Sequence, residues 1–252
     1  MTVRARASDM ARADLTALVV SGTANSGRAV VETVAEAGGT AGFTYNESGE
    51  AADELLADLP GEGHEAWQCD VTDADRTRDV VDAAFDHLGE IDAVVYTVGV
   101  IAPSAVDETD PEDWAWHIDA NVTGAFNVVN AAGPHLADQG GGAVVALSAA
   151  QGVLDNAELA AYDASKRGLE AFIQETARDL GDHGVRANVV APGYIRDPDA
   201  LSEEDRRDLV DQQTIDRITS PQDVADACLS LCSDDAAAIT GAVVPVDGGL
   251  SL

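Results

Sequence analysis

Lysine is nearly absent from this chain. Of its 14 basic residues, 13 are arginine and Lys166 alone is lysine. Against them stand 46 Asp plus Glu, for a formal net charge of −32, and the acids run along the whole chain instead of gathering in a terminal block. Charge of that sign disfavours nucleic acid and anionic membrane as partners. Cysteine is scarce as well. Cys69, Cys228 and Cys232 cannot frame a disulfide scaffold in a chain of 252 residues, and the last two, four apart, suit small core positions of a helix. No further ligands stand near them, so no metal site is expected. No apolar run approaches the roughly 20 residues of a membrane-spanning helix. The run 15–20 is too short for a secretory signal and leads directly into a glycine turn.

What remains is ample for a folded core. Apolar residues make up 46% of the chain, which places it among globular proteins. The acidic surface suits either molar intracellular salt, where the Debye length shrinks to about 3 Å, or docking of a basic partner. Acids occur in nearly every segment, which favours the first and points to a salty cytoplasm.

Short apolar runs alternate with helical patterns from residue 15 to the end, with no linker between them. Strands are predicted at 15–20, 39–45, 65–69, 91–99, 142–148, 185–192 and 242–249. Helices are predicted at 28–37, 50–59, 74–88, from Pro111, at 122–136, 159–180 and 221–232. This alternation predicts a single α/β domain over 15–252, a doubly wound parallel sheet of about seven strands with helices on both faces. Residues 1–14 are read as a tail. Ligands of such sheets bind beyond the carboxyl ends of the strands, and Ser21–Gly27, Asp70, Gly99, Ser148 and Pro192-Gly193 all follow apolar runs.

Four features carry chemistry. The segment from Val20 to Ala29 is a glycine turn between the first strand and helix, where backbone N–H groups can approach a pyrophosphate; an ordinary turn is the plainer alternative. Asp70 ends the third strand, placed to meet a base or sugar, while Asp73 suits a helix cap. Tyr162 and Lys166 lie four apart in a helix, hence on one face, and a cation beside a phenol lowers its pKa toward acid–base use. Ser148 ends the strand before that helix, where its hydroxyl could hold a carbonyl oxygen or simply form a turn. Asn121 interrupts a helical stretch as a kink, a cap or a ligand for a water in a proton path.

Together these residues resemble the short-chain dehydrogenase/reductase family, with its Rossmann fold, over about 15–252. The family's Asn–Ser–Tyr–Lys tetrad matches Asn121, Ser148, Tyr162 and Lys166. Its Asp-Val motif matches Asp70-Val71, its Pro-Gly motif matches Pro192-Gly193 before Ile195, and the C-terminal I-T-G-A-V-V-P-V-D-G-G-L is similar to the 3-oxoacyl-carrier-protein reductase branch. Three departures stand out. The glycine loop, Ser21-Gly22 to Gly27-Arg28, is one residue short, with Ser26 near the place of a missing glycine. The family's Asn-Asn-Ala-Gly is Tyr96-Thr97-Val98-Gly99 here. Arg196 and Asp197 replace a threonine that usually follows the Pro-Gly motif.

The resemblance implies an oxidoreductase that moves a hydride between a nicotinamide cofactor, NADP(H) or NAD(H), and a ketone or secondary alcohol, with a 3-oxoacyl thioester as one candidate. Ser21, Gly22, Ser26, Gly27 and Arg28 would meet the phosphates, and Tyr45, Asp70, Val71 and Gly99 the adenosine. Pro192, Gly193 and Ile195 would meet the nicotinamide, and Tyr162 and Lys166 its ribose and the reacting oxygen. No acid stands at the end of strand two, where Tyr45-Asn46 is found, and Arg28 could meet a 2′-phosphate. Both lean toward NADP(H), although Glu47 counts against it. Residues 196–218 would cover the substrate, and a homotetramer is implied. The alternatives are a cofactor-binding sensor or scaffold without turnover, and an acidic interaction protein.

Overall fold

The computed structural model describes residues 15–150, 158–195, 202, 207 and 209–252. The 1–14 tail, Arg196, Asp197 and most of the expected substrate-covering segment lie outside the described residues.

Seven strands, β1 (Thr16–Val20), β2 (Thr40–Tyr45), β3 (Glu65–Gln68), β4 (Ala93–Tyr96), β5 (Gly142–Leu147), β6 (Val185–Pro192) and β7 (Val243–Val246), form one sheet in the order β3-β2-β1-β4-β5-β6-β7. Every pairing is parallel. The helices are α1 (Asn25–Glu36), α2 (Gly49–Asp58), α3 (Ala74–Leu88), α4 (Pro111–Ile118), α5 (Gly124–Asp138), α6 (Ala160–Leu180) and α7 (Pro221–Cys232).

The inner strands β1, β4 and β5 read as continuous apolar runs because both faces are covered, whereas the edge strand β3 carries Glu65 and Gln68 and is only partly buried. Ala17 and Val19 of β1 face a core built with Val30, Val31 and Val34 of α1, Leu55 of α2 and Leu229 of α7. Leu18 and Val20 face the opposite core, built with Val80 and Val81 of α3, Val128 of α5, and Leu169 and Ile173 of α6. Cys228 and Cys232 are buried and unbridged in the first core, the small-filler role expected of them. The helix starts follow the sequence: Asp73 caps α3 by accepting from the Arg76 N–H, Asp110 caps α4 ahead of Pro111, and Ser220 and Asp223 form a reciprocal capping box on α7.

Three boundaries differ from expectation. α1 begins three residues earlier than predicted, so Asn25, Ser26 and Gly27 are its first turn. The predicted strand 242–249 stops at Val246, because Gly248 and Gly249 have φ of 63° and 81° and turn the chain. The helical run after Pro111 does not break at Asn121 but loosens into a π-turn over Asp119–Thr123. The extra residue in that turn carries Asn121 inward, and such π-turns recur at functional sites.

Besides the ladder between β6 and β7, one side-chain amide fixes the chain entering β7. Asn188 of β6, fully buried, donates from Nδ2 to the Ile239 carbonyl (2.9 Å) and accepts at Oδ1 from the Ala242 N–H (3.0 Å). Asn188→Ala leaves both backbone groups unmet, and urea titration should show stability lower by about 1–3 kcal/mol.

Candidate active site

The strand order reverses between β1 and β4, so the loops after these strands part and open a crevice. Two recesses meet there, sharing Ser21 and Gly99.

The first recess is lined by Ser21, Asn25, Ser26, Gly27, Gly99, Ser148, Tyr162, Lys166, Pro192, Gly193 and Ile195, among others. Its floor is Lys166, 2% exposed. The ammonium donates to the carbonyls of Val98 (3.2 Å) and Leu147 (2.9 Å), beyond the end of β4 and at the end of β5. An ammonium has three protons, and Gly99 lies alongside it, where a Cβ would come within 3.3 Å of Nζ. Burial lowers the Lys166 pKa to about 8, opposed by the negative charge of Glu170. The Tyr162 ring lies 5.8 Å from that ammonium. Contrary to the expectation of a lowered value, the phenol is pushed up to about 12, because burial disfavours the phenolate.

Ser148 donates to Glu170 Oε1 at 2.6 Å. Tyr162, Lys166 and Glu170 are spaced by four residues along α6 and share one face. Glu170 was missed in the sequence, although extending the Tyr-x-x-x-Lys spacing by one more turn would have found it. Asn121, fully buried in the π-turn, accepts from the Val100 N–H (2.9 Å) and donates to the Val100 carbonyl (3.1 Å) and to Ser165 Oγ (2.9 Å). Ser165 in turn donates to the Tyr162 carbonyl at 2.7 Å. Both Asn121 amide protons therefore serve protein acceptors, and the side chain ties the π-turn to the turn of α6 that carries Tyr162 and Lys166.

The glycine loop closes around positions that side chains could not occupy. A Cβ on Gly27 would strike the Ser21 carbonyl and come within 2.7 Å of Thr97 Oγ1. Asn25 (φ 48°) and Ser21 (φ 71°) lie in the left-handed region that glycine adopts most readily, so the loop keeps this conformation without a glycine at either position. Asparagine tolerates that region best after glycine, which was the available signal. Thr97 donates to the carbonyls of Val20 (2.7 Å) and Ser21 (2.9 Å), and Tyr96 donates to the Ala120 carbonyl (2.5 Å). The departures at Tyr96-Thr97 thus tie β4 to the loop and to the π-turn.

The second recess is lined by Thr44, Tyr45, Asn46, Asp70, Val71, Val98 and Trp116, among others. Asp70 is exposed and braced by the Thr72 N–H (2.9 Å) and hydroxyl (2.7 Å). Trp116, 45% exposed on α4, was not foreseen as part of this wall.

Two expected cofactor residues are not brought to these recesses. Gly22 lies against Phe43 and Val31, where it permits close packing of β2 and α1. Arg28 turns along α1 to pair with Glu32 (2.7 Å) and lines neither recess.

The crevice fits a pyrophosphate. Ser26 Oγ is buried without a hydrogen-bond partner among the described residues, and α1 begins with no side-chain cap and no acid in its first turn. An anion satisfies the orphan N–H groups of such a start.

Known proteins agree with this geometry. Residues 22–251 match the family described as enoyl-(acyl carrier protein) reductase. The chain is 30% identical to a 3-oxoacyl-[acyl-carrier-protein] reductase of Staphylococcus aureus, covering 93% of this chain and 97% of that protein. It is 32% identical to the cis-4-hydroxycyclohexanecarboxylate dehydrogenase of Sinomonas cyclohexanicum, covering 94% and 96%. A 7α-hydroxysteroid dehydrogenase, solved with NADH and 7-oxo glycochenodeoxycholic acid, superposes with a TM-score of 0.85 at 26% identity over 97% and 98% of the two chains. The chain belongs to the short-chain dehydrogenase/reductase family of oxidoreductases.

Proposed function

We propose that the protein reduces a ketone to a secondary alcohol, or runs the reverse reaction, with a nicotinamide dinucleotide bound across both recesses. The observation that carries this is the sole lysine of the chain, buried with its charge at the crevice floor beside a phenol and a serine hydroxyl. The bound nicotinamide supplies or accepts the hydride. Ser26, Gly27 and the start of α1 hold the pyrophosphate, and Asp70 and Val71 border the adenosine. Ser148 steadies the substrate oxygen. Tyr162 stays protonated through the neutral range and gives its proton to that oxygen during reduction. Lys166 stabilises the phenolate left behind, which burial makes costly. The sensor or scaffold alternative lacks support, since Ser148, Tyr162 and Lys166 line one recess and Asn121, buried behind it, is tied through Ser165 to the turn that carries Tyr162.

Relatives act on an acyl-carrier-protein thioester, a hydroxycyclohexanecarboxylate and a bile acid, so family membership leaves the substrate open. The C-terminal likeness makes a 3-oxoacyl thioester the first to test. We also place the protein in a salty cytoplasm; no helix among the described residues is long and apolar enough to cross a membrane. A homotetramer is supported by an apolar groove between α5 and α6, where half-exposed Phe126 meets Phe172 edge-on (6.1 Å between centroids) beside Val129 and Leu180.

Three outcomes follow. Tyr162→Phe should cut kcat on the ketone by about 10²–10⁴-fold, with the Kd for the reduced cofactor changed little in a fluorescence titration. A loss of cofactor affinity as large as the loss of rate would assign Tyr162 to binding alone. For reduction, kcat/KM reports the free enzyme. With the phenol at about 12 and the ammonium at about 8, the profile should be level near neutrality and fall above about pH 8, as Lys166 loses its proton. Phe126→Glu should lower the mass measured by light scattering in molar KCl, and an unchanged mass would remove this groove from the interface.

A further inference from the structure

The adenosine end of the site discriminates between the two nicotinamide cofactors. Building on the dinucleotide reading above, we propose that this recess takes a ribose without a 2′-phosphate, so that the protein works with NAD(H) and not NADP(H). This reverses the lean that the sequence gave through Arg28 and the missing acid at the end of β2.

A 2′-phosphate brings close to two negative charges and strong acceptor oxygens, and proteins meet such a group with arginine forks or lysine. Among the described residues, none of those lining the second recess is a cation, and the one charged side chain there is Asp70. The arginines nearest the recess in sequence make their contacts outside it. Arg28 Nε pairs with Glu32 one helical turn along α1. Arg76 places both Nε (3.0 Å) and Nη2 (2.7 Å) on the Gln68 carbonyl at the end of β3. Lys166 belongs to the other recess, with two of its protons on backbone carbonyls. Beyond the recess, Glu47 is exposed next to Asn46, and the whole chain carries a formal charge of −32. An added phosphate therefore meets repulsion at short range and at long range.

An unmodified ribose meets a suitable wall. A hydroxyl needs one donor and one acceptor, and an amide such as that of Asn46 offers both. Asn46 stands at the end of β2, exposed and lining the recess, with its carbonyl already fixed by Gln68 Nε2 (2.8 Å). The absence of an acid at this place leaves the ribose hydroxyl a neutral partner without creating a phosphate site.

The test uses ligands that lack nicotinamide, so that binding is read apart from turnover. ADP-ribose and 2′-phospho-ADP-ribose are titrated calorimetrically into the full chain at matched ionic strength, from low to molar KCl. ADP-ribose should bind at least about fivefold tighter in the lowest salt that keeps the protein folded, and the ratio should narrow as salt screens the repulsion. Asn46→Arg, at an exposed position, should raise affinity for the phosphorylated ligand by about tenfold or more through a charge-assisted pair, with circular dichroism confirming an unchanged fold. A ratio below fivefold, or tighter binding of the phosphorylated ligand, overturns the proposal. A ratio insensitive to salt overturns its electrostatic cause. If folded protein binds neither ligand, the dinucleotide reading itself fails, and that result is distinct from a lost preference.

Discussion

One buried ammonium organises this molecule. Lys166 is shut away from water, and the cost of that burial shows in the lowered affinity of its nitrogen for the proton. What offsets the cost is the backbone of the sheet. The carbonyls of Val98, beyond β4, and Leu147, at the end of β5, take two of its protons. The lysine thus closes the carboxyl edge of the sheet beside the switch point and leaves one proton for the crevice. Glu170, four residues further along α6, supplies a compensating charge and holds Ser148 in the same contact network. Fold and site therefore share one set of bonds.

The departures from the family pattern become coherent around that edge. A shortened glycine loop would be expected to fit its ligand poorly. Here Asn25 adopts the left-handed conformation that a glycine would otherwise supply, and Thr97 straps the loop to β4 through two carbonyls. Tyr96 reaches the carbonyl of Ala120, immediately before Asn121, so the strand and the π-turn are joined as well. Residues that look like losses in a motif comparison replace side-chain hydrogen bonds with others of different origin.

How far the sequence could be read depends on the range of each interaction. The parallel sheet was legible because burial on both faces writes itself as unbroken apolar runs, and the order of helices because Asp73, Asp110 and Ser220 announce their starts. Tyr162 and Lys166 could be paired because helical spacing is local. Arg28 was read toward a ligand, and its pairing with Glu32, an equally local contact, was not weighed. Trp116 and Glu170 were overlooked because their roles depend on where α4 and α6 settle in the folded chain, which brings Trp116 beside Asp70 and Glu170 to Ser148. The direction of the Tyr162 shift could not be foreseen either, since it reflects how deeply the ring is enclosed, a property of the packed assembly.

The scarcity of lysine, set beside its burial, gives the protein an unusual chemical identity. Its side chains hold one primary amine, and that amine forms the floor of the crevice. Amine-directed reagents that decorate the surface of most proteins find no side-chain target on the outside of this one. A small electrophile able to enter the crevice would report on its occupancy, and a bound dinucleotide would shield it. The same arithmetic makes resin coupling through lysine a poor route to immobilisation.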